Sequence, residues 1–391
     1  MNKLIAQPLA NSGISTVIVI DALDECEDDE PASAILFVLG QFVTKIPKAK
    51  FFVTGRPEPR IRDGFRLPLL TEATDVFFLH EVEPNRVNSD IRLLFRHHFS
   101  DLKRRRRGLD DWPTEEQLGL LCKRAAGLFV YAMATLKFID QKNQNPKKQL
   151  DRLLQAPESG FEGRTKLREG ATLDSLYMTI LKESFGDNDP EGGPDFRLIL
   201  GSVVLAANPL SPSTIATLLG LDVEDVSTLL LSVHSLLILQ EDYDYPVQPF
   251  HKSFRDFIVD PARCTNPRFC VCPSDSHARL LVGCLKLIDQ RLEQNTCKLP
   301  EGVANPGVDG LKEGTERYID RALEYACRSW HKHFVDPTPA QVVEITPILY
   351  RISGEKFRLW LRVIDAFDAG KEAIDALTVI ARWQDVRCTV L

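Results

Sequence analysis

Apolar residues gather first in three short runs. "TVIVI" (16 to 20), "KFFVT" (50 to 54) and "DVFFLH" (75 to 80) are rich in β-branched and aromatic residues and have strand length. Unbroken runs of this kind predict strands buried on both faces of a parallel sheet. Between the first two, "PASAILFVLGQFVTKI" (31 to 46) opens on proline and carries apolar positions at helical spacing. After the third, "NRVNSDIRLLFRHHFSDL" (85 to 102) predicts an amphipathic helix. Strand, helix, strand, short helix, strand is half of a doubly wound sheet, with the helices as crossovers.

From about 112 the strand pattern stops. "TEEQLGLLCKRAAGLFVYAMATLKFIDQ" (114 to 141) predicts two helices meeting near Gly127, and Thr114 with Gln117 three residues on is a capping-box pattern. "LDSLYMTILKESF" (173 to 185) predicts another amphipathic helix; "EGGPDF" marks a loop before "RLILGSVVLAA" (197 to 207). Next, "SPSTIATLLG" (211 to 220), "DVEDVSTLLLSVHSL" (222 to 236) and "LILQEDYDYPVQPF" (237 to 250) give a short helix, a longer one and a hairpin. That order is the winged-helix plan, a variant of helix-turn-helix. Beyond 275 the pattern is helical throughout, with pieces near 275–293, 315–334, 339–352 and 356–384 and no fixed-period repeat. The expected fold is therefore α/β then mainly α.

Composition narrows the class. The chain has 391 residues, 44% hydrophobic and 26% charged, which is ordinary for a soluble chain with two or three cores. A formal charge of −7 argues against a general polyanion binder. Nine irregularly spaced cysteines point to reduced intracellular thiols. "MNKLIAQPLANSG" has no stretch of signal-peptide character. The longest apolar run, "LILGSVVLAA", is about half of the ~20 residues that a spanning helix needs. The expectation is a cytoplasmic protein without a membrane segment.

The first strand ends in chemistry. "VIVIDALDEC" puts Asp21 just past the carboxyl end of a buried parallel strand, the rim where α/β sheets bind ligands. A carboxylate there holds Mg²⁺, usually through water, while the ion bridges nucleotide phosphates. Asp24 and Glu25, a short turn later, are placed to polarise an attacking water. An acidic loop before a helix N-terminus is the plainer alternative. The next strand ends in Thr54-Gly55-Arg56-Pro57, and an arginine at that tip reaches a γ-phosphate as a fixed cation. A solvated turn is the alternative there.

"VIVIDALDEC", "FFVTGRPEPRI", "RAAGLFVYA" and "PFHKSFRDFI" occur here in the order found in NACHT-type STAND P-loop NTPases. The chain resembles most the large fungal set whose nucleotide domain is called nephrocystin-type, over about residues 14 to 335. The resemblance implies a partial NACHT nucleotide-binding domain (1–105), a helical domain (106–170), a winged-helix domain (171–265) and a C-terminal helical region (266–391). It makes Asp21 the Walker B aspartate associated with Mg²⁺, Asp24 and Glu25 the acidic pair that includes the water activator, and Arg56 the sensor arginine. His251 in "FHKSF" matches the winged-helix histidine that, in the family, reaches the β-phosphate of bound ADP. On the residues alone, a satisfied core histidine is the alternative. ATP or ADP with Mg²⁺ is the implied ligand. The implied mechanism is a switch: ADP clamps the domains closed, and exchange for ATP opens them to oligomerise.

One part of that pattern has no counterpart. G-x-x-x-x-G-K-[ST], whose backbone N–H groups, lysine and hydroxyl hold phosphates and Mg²⁺, occurs nowhere in the chain. In the family it precedes the Walker B strand, whereas sixteen residues precede "VIVI" here. The expectation is a truncated, non-catalytic chain that acts through protein partners or self-association and binds no nucleotide tightly. The rival is an active ATP or GTP hydrolase whose phosphate loop lies in a longer native chain.

Three further features bear on function. "KRRRR" (103 to 107) is a nuclear signal, a nucleic-acid patch or a solvated helix end. The second helix of the winged-helix pattern carries no Arg or Lys, which argues against DNA binding. Cys264, Cys270, Cys272 and His277 have a spacing unlike the usual structural-zinc patterns.

Overall fold

The computed structural model describes residues 7–12, 14–26, 29–46, 48–142, 144–155, 171–186, 192–240, 242–293, 318–335 and 339–390. The start of the "EGGPDF" loop, residues 315–317 of the predicted 315–334 helix and residues 156–170 of the helical domain lie outside them. The protein is mainly helical, with a small parallel sheet near the N-terminus. It divides into two compact units, Met1–Glu83 and Pro84–Leu391.

In the first unit, helix α1 (Gln7–Ser12) precedes strand β1 (Thr16–Ile20). Helix α2 (Asp29–Phe42) crosses over to strand β2 (Ala49–Val53), and α3 (Pro59–Phe65) and α4 (Pro68–Thr71) follow. β1 and β2 pair in parallel, from Thr16 opposite Ala49 to Ile20 opposite Val53. Leu23, Ala32, Leu36, Leu39, Ile61 and Leu70 form the core, packed under Ile20, Phe51 and Val53.

Two expectations fail here. The strands are covered on one face only: Val17, Val19 and Phe52 are 66%, 63% and 60% exposed, so burial alternates along each strand. The third predicted strand does not form. Residues 74–78 are irregular, and a 3-10 turn, Leu79–Glu81, follows. A strand is stable only against a hydrogen-bonded neighbour, and neither β1 nor β2 pairs with this segment. Phe77 and Leu79 are left 74% and 78% exposed.

The second unit starts with α5 (Pro84–Arg105), which packs on α6 (Glu115–Ala125) and α7 (Phe129–Ile139). The helix that the sequence groups with the sheet segment thus belongs with the helices that follow it. Phe99 and Trp112 meet edge to face at 5.2 Å beneath α5. The Thr114–Gln117 capping box forms in both directions, and the chain turns into α7 through Ala126 and Gly127, both at positive φ. Part of the basic run makes contacts within the fold. Arg105 pairs with Asp140 at 2.8 Å, and Arg106 donates to the carbonyls of Asp140, Gln141 and Gln144. Cations at the end of one helix thereby satisfy carbonyls left open at the end of another.

Helices α8 (Pro146–Gln155), α9 (Ala171–Phe185) and α10 (Gly192–Leu205) lead to α11 (Pro212–Leu219). Ser211 caps its start, and Gly220 closes it at φ 69°. α12 (Val223–Ser232), capped by Asp222, precedes a small hairpin of β3 (Leu237–Ile238) and β4 (Gln248–Pro249). Next come α13 (Lys252–Ile258), α14 (Pro273–Arg291) and α15 (Arg321–Ser329), the last running into a 3-10 turn, Trp330–His333. α16 (Pro339–Ser353), α17 (Phe357–Ala366) and α18 (Gly370–Val390) complete the unit. The single helix predicted near 356–384 is two, broken where Asp368 takes φ 54°.

Candidate functional site

At the carboxyl ends of β1 and β2, the chain leaves β1 through Ala22, which sits at φ 52°, ψ 48°. A left-handed alanine is held there at some cost, and the sharp turn brings Asp24 back beneath the rim. Thr54, at the end of β2, is the hub. Its hydroxyl donates to Asp21 Oδ1 and accepts the Ala22 N–H at 2.8 Å. Its carbonyl accepts the Leu23 N–H at 2.9 Å, and its own N–H donates to Ile20.

Asp24 is buried, with 4% exposure. It accepts the Arg56 N–H at 3.0 Å, and its other oxygen lies 3.6 Å from Arg56 Nε. Arg60 donates to the Asp24 carbonyl at 2.8 Å. Asp21, Asp24 and Arg56 are therefore gathered on one rim, while Glu25 is exposed in the 3-10 turn and joins none of these bonds by its side chain. The sequence reading singled out neither Thr54 nor Arg60 as a functional residue. The T-x-R-P spacing carried the signal for Thr54, because a hydroxyl one residue past β2 faces the backbone just past β1.

His251, in the second unit, caps α13. Its Nδ1 accepts the Ser253 N–H at 3.1 Å and the Ser253 hydroxyl at 2.7 Å. A backbone N–H can only donate, so Nδ1 is unprotonated and the neutral ring carries its hydrogen on Nε2. With the Ser253 hydroxyl donating to His251, the buried Tyr177 hydroxyl, 2.7 Å away, donates to Ser253. Burial pushes the Tyr177 hydroxyl above its ordinary titration range, so it keeps that hydrogen. Sequence reasoning missed both Tyr177 and Ser253. Tyr177 lies 76 residues from Ser253, and no local pattern links them.

The two rim aspartates are both engaged within the protein. The Asp24 carboxylate is spent on Arg56, and one Asp21 oxygen is bonded to Thr54. The one Gly-Lys pair, Gly370-Lys371, opens α18 and is followed by Glu372, so it supplies no phosphate loop. In the cysteine cluster, Cys264 and Cys270 are hydrogen-bonded to each other, whereas Cys272 contacts Ser274 and His277 contacts His333. Among the described residues, no group of three or more His, Cys, Asp or Glu side chains is arranged to hold a metal. No helix among them is long and apolar enough to cross a membrane. α12 presents Glu224 and Asp225 in its first turn. No protein-family model, no curated protein and no solved structure matches this chain.

Proposed function

We propose that this chain is a non-hydrolysing relative of the NACHT-type STAND switches and acts as a protein-interaction module. The observation that carries the reading is the rim itself. The Asp21–Thr54 and Asp24–Arg56 contacts tie the two strand ends together in the manner of a Walker B and sensor pair, but each is satisfied within the protein. His251 keeps the tautomer that donates from Nε2, as a phosphate-facing histidine requires. With no lysine–hydroxyl loop, the acidic pair has no γ-phosphate to act on. ATP hydrolysis assayed with Mg²⁺ should stay at the no-enzyme rate. Turnover that Glu25→Gln abolishes would sink the reading.

The partner surface in this reading is the open face of the sheet, where Val19 stands opposite Phe52 and both are exposed. Apolar patches of this kind mark protein contacts. Sedimentation of the full chain should show self-association or aggregation that Phe52→Ser weakens. A monomer at every concentration, unchanged by the substitution, would remove the self-association part of the reading.

The intact geometry of the rim also favours a second reading, in which a longer native chain supplies the phosphate loop and hydrolyses ATP or GTP. Coding DNA upstream of Met1 decides between them: an in-frame GK[ST] motif after a strand pattern supports the longer enzyme.

A further inference from the structure

In the second unit, half-buried His277 of α14 and buried His333 at the end of the Trp330–His333 turn meet, Nδ1 to Nδ1, at 3.0 Å. His333 is only 1% exposed. Its Nε2 lies 2.7 Å from the Tyr325 hydroxyl of α15. That hydroxyl accepts the Ala207 N–H, just past α10, at 3.0 Å. Three segments distant in sequence, at Ala207, at His277 and from Tyr325 to His333, thus converge on the two imidazole rings.

The geometry limits how many protons the rings can hold. The Nδ1–Nδ1 contact accommodates one hydrogen. With both rings neutral, one donates across it and the other accepts. One added proton can be housed on His333 Nε2, with the tyrosine oxygen turned to accept it. A second would place an N–H against an N–H at 3.0 Å. The rings therefore titrate as a pair rather than singly.

The surroundings oppose even the first proton. Burial acts first on both rings. The Arg255 cation of α13 then bears on His277, and His331 and Lys332 of the turn bear on His333. Together these hold His333 down to about 3 and His277 below its ordinary value. The carboxylates of α18, Asp375 and Glu372, act on the neighbouring His331, and Glu372 is itself paired with Arg328 at 3.1 Å. Tyr325 contributes a neutral hydroxyl.

We propose that the His277–His333 pair is an acid-released latch, which ties α14 to α15 and the turn after it while the rings share no more than one added proton. In the unfolded chain both rings take up protons as the pH falls through about 6.5. In the latched state both rings take up protons less readily than free imidazole, His333 most of all. The stability that the neutral pair supplies is complete above about pH 6.5 and is lost as the pH falls below it.

Hydrogen exchange on the full chain between pH 7.5 and 5, corrected for intrinsic rates, tests this. Opening of the first turns of α14 and of residues 321–335 should rise about tenfold per pH unit for each ring that gains a proton, and up to ~100-fold per unit for both. His277→Gln and His333→Gln should each reduce the dependence to at most one proton. An unaltered chain without this acid dependence, or variants that keep it in full, would overturn the latch. Should His333→Gln fail to fold, ¹⁵N-histidine spectra of the unaltered chain decide alongside His277→Gln. No more than one imidazolium between the two rings at pH 6 supports the latch, and an imidazolium at both rings in the folded chain contradicts it.

Discussion

Replacing Trp360 with alanine is expected to lower the stability of the whole second unit by about 4 kcal/mol, the range for a buried tryptophan cut to a methyl group. Trp360 of α17 is 1% exposed, and its Nε1 donates to the Cys327 carbonyl in α15 at 3.0 Å. The alanine would leave a cavity and remove the hydrogen bond from Trp360. The core it belongs to runs without interruption from Ile91 to Trp383. The loss should therefore appear as one shifted urea transition reporting on α5 through α18. If the residues after 266 melted alone, leaving the α9–α13 helices at their original midpoint, the single core would be wrong.

Gly283→Ala should cost nearly as much, about 3 kcal/mol, for a different physical reason. A Cβ at Gly283 of α14 would lie 2.2 Å from the Leu218 carbonyl oxygen and 3.0 Å from its carbonyl carbon. Both are backbone atoms near the end of α11, so no rotamer change relieves the clash. α14 would have to draw away from α11, loosening the junction between the hairpin segment and the C-terminal helices. Denaturant titration followed by circular dichroism measures the loss. An alanine variant with an unchanged midpoint would show that the two helices do not approach this closely.

The helices were legible wherever pattern and cap agreed. Thr114 with Gln117, and Ser211 with Gly220, mark their elements in sequence and do so in the structure. The break at Asp368 was not legible, because nothing local distinguishes that aspartate from one inside a helix. The run at 75–80 misled for a physical reason: strand propensity describes a residue's fit to a sheet, and no neighbouring strand is present to receive it. The same applies to Val17 and Val19, whose apolar character predicts cover on both faces while only one is covered.

At the rim, Asp21, Asp24 and Arg56 could be named from sequence because each lies directly after a strand or in the short turn that follows one. Thr54 carries a signal in the T-x-R-P spacing, whereas Tyr177 and Ser253 carry none, because their link to His251 is made across the fold. His277 was noted beside the cysteines, yet its partner is His333, 56 residues away.

The most direct test is calorimetric titration of the 391-residue chain with ADP and with ATP in the presence of Mg²⁺, beside Arg56→Ala and His251→Ala. A rim satisfied within the protein and lacking a phosphate loop predicts no binding heat at micromolar ligand in any of the three proteins. Micromolar binding by the unaltered chain, weakened by either substitution, would contradict it and show that the site grips nucleotide without that loop.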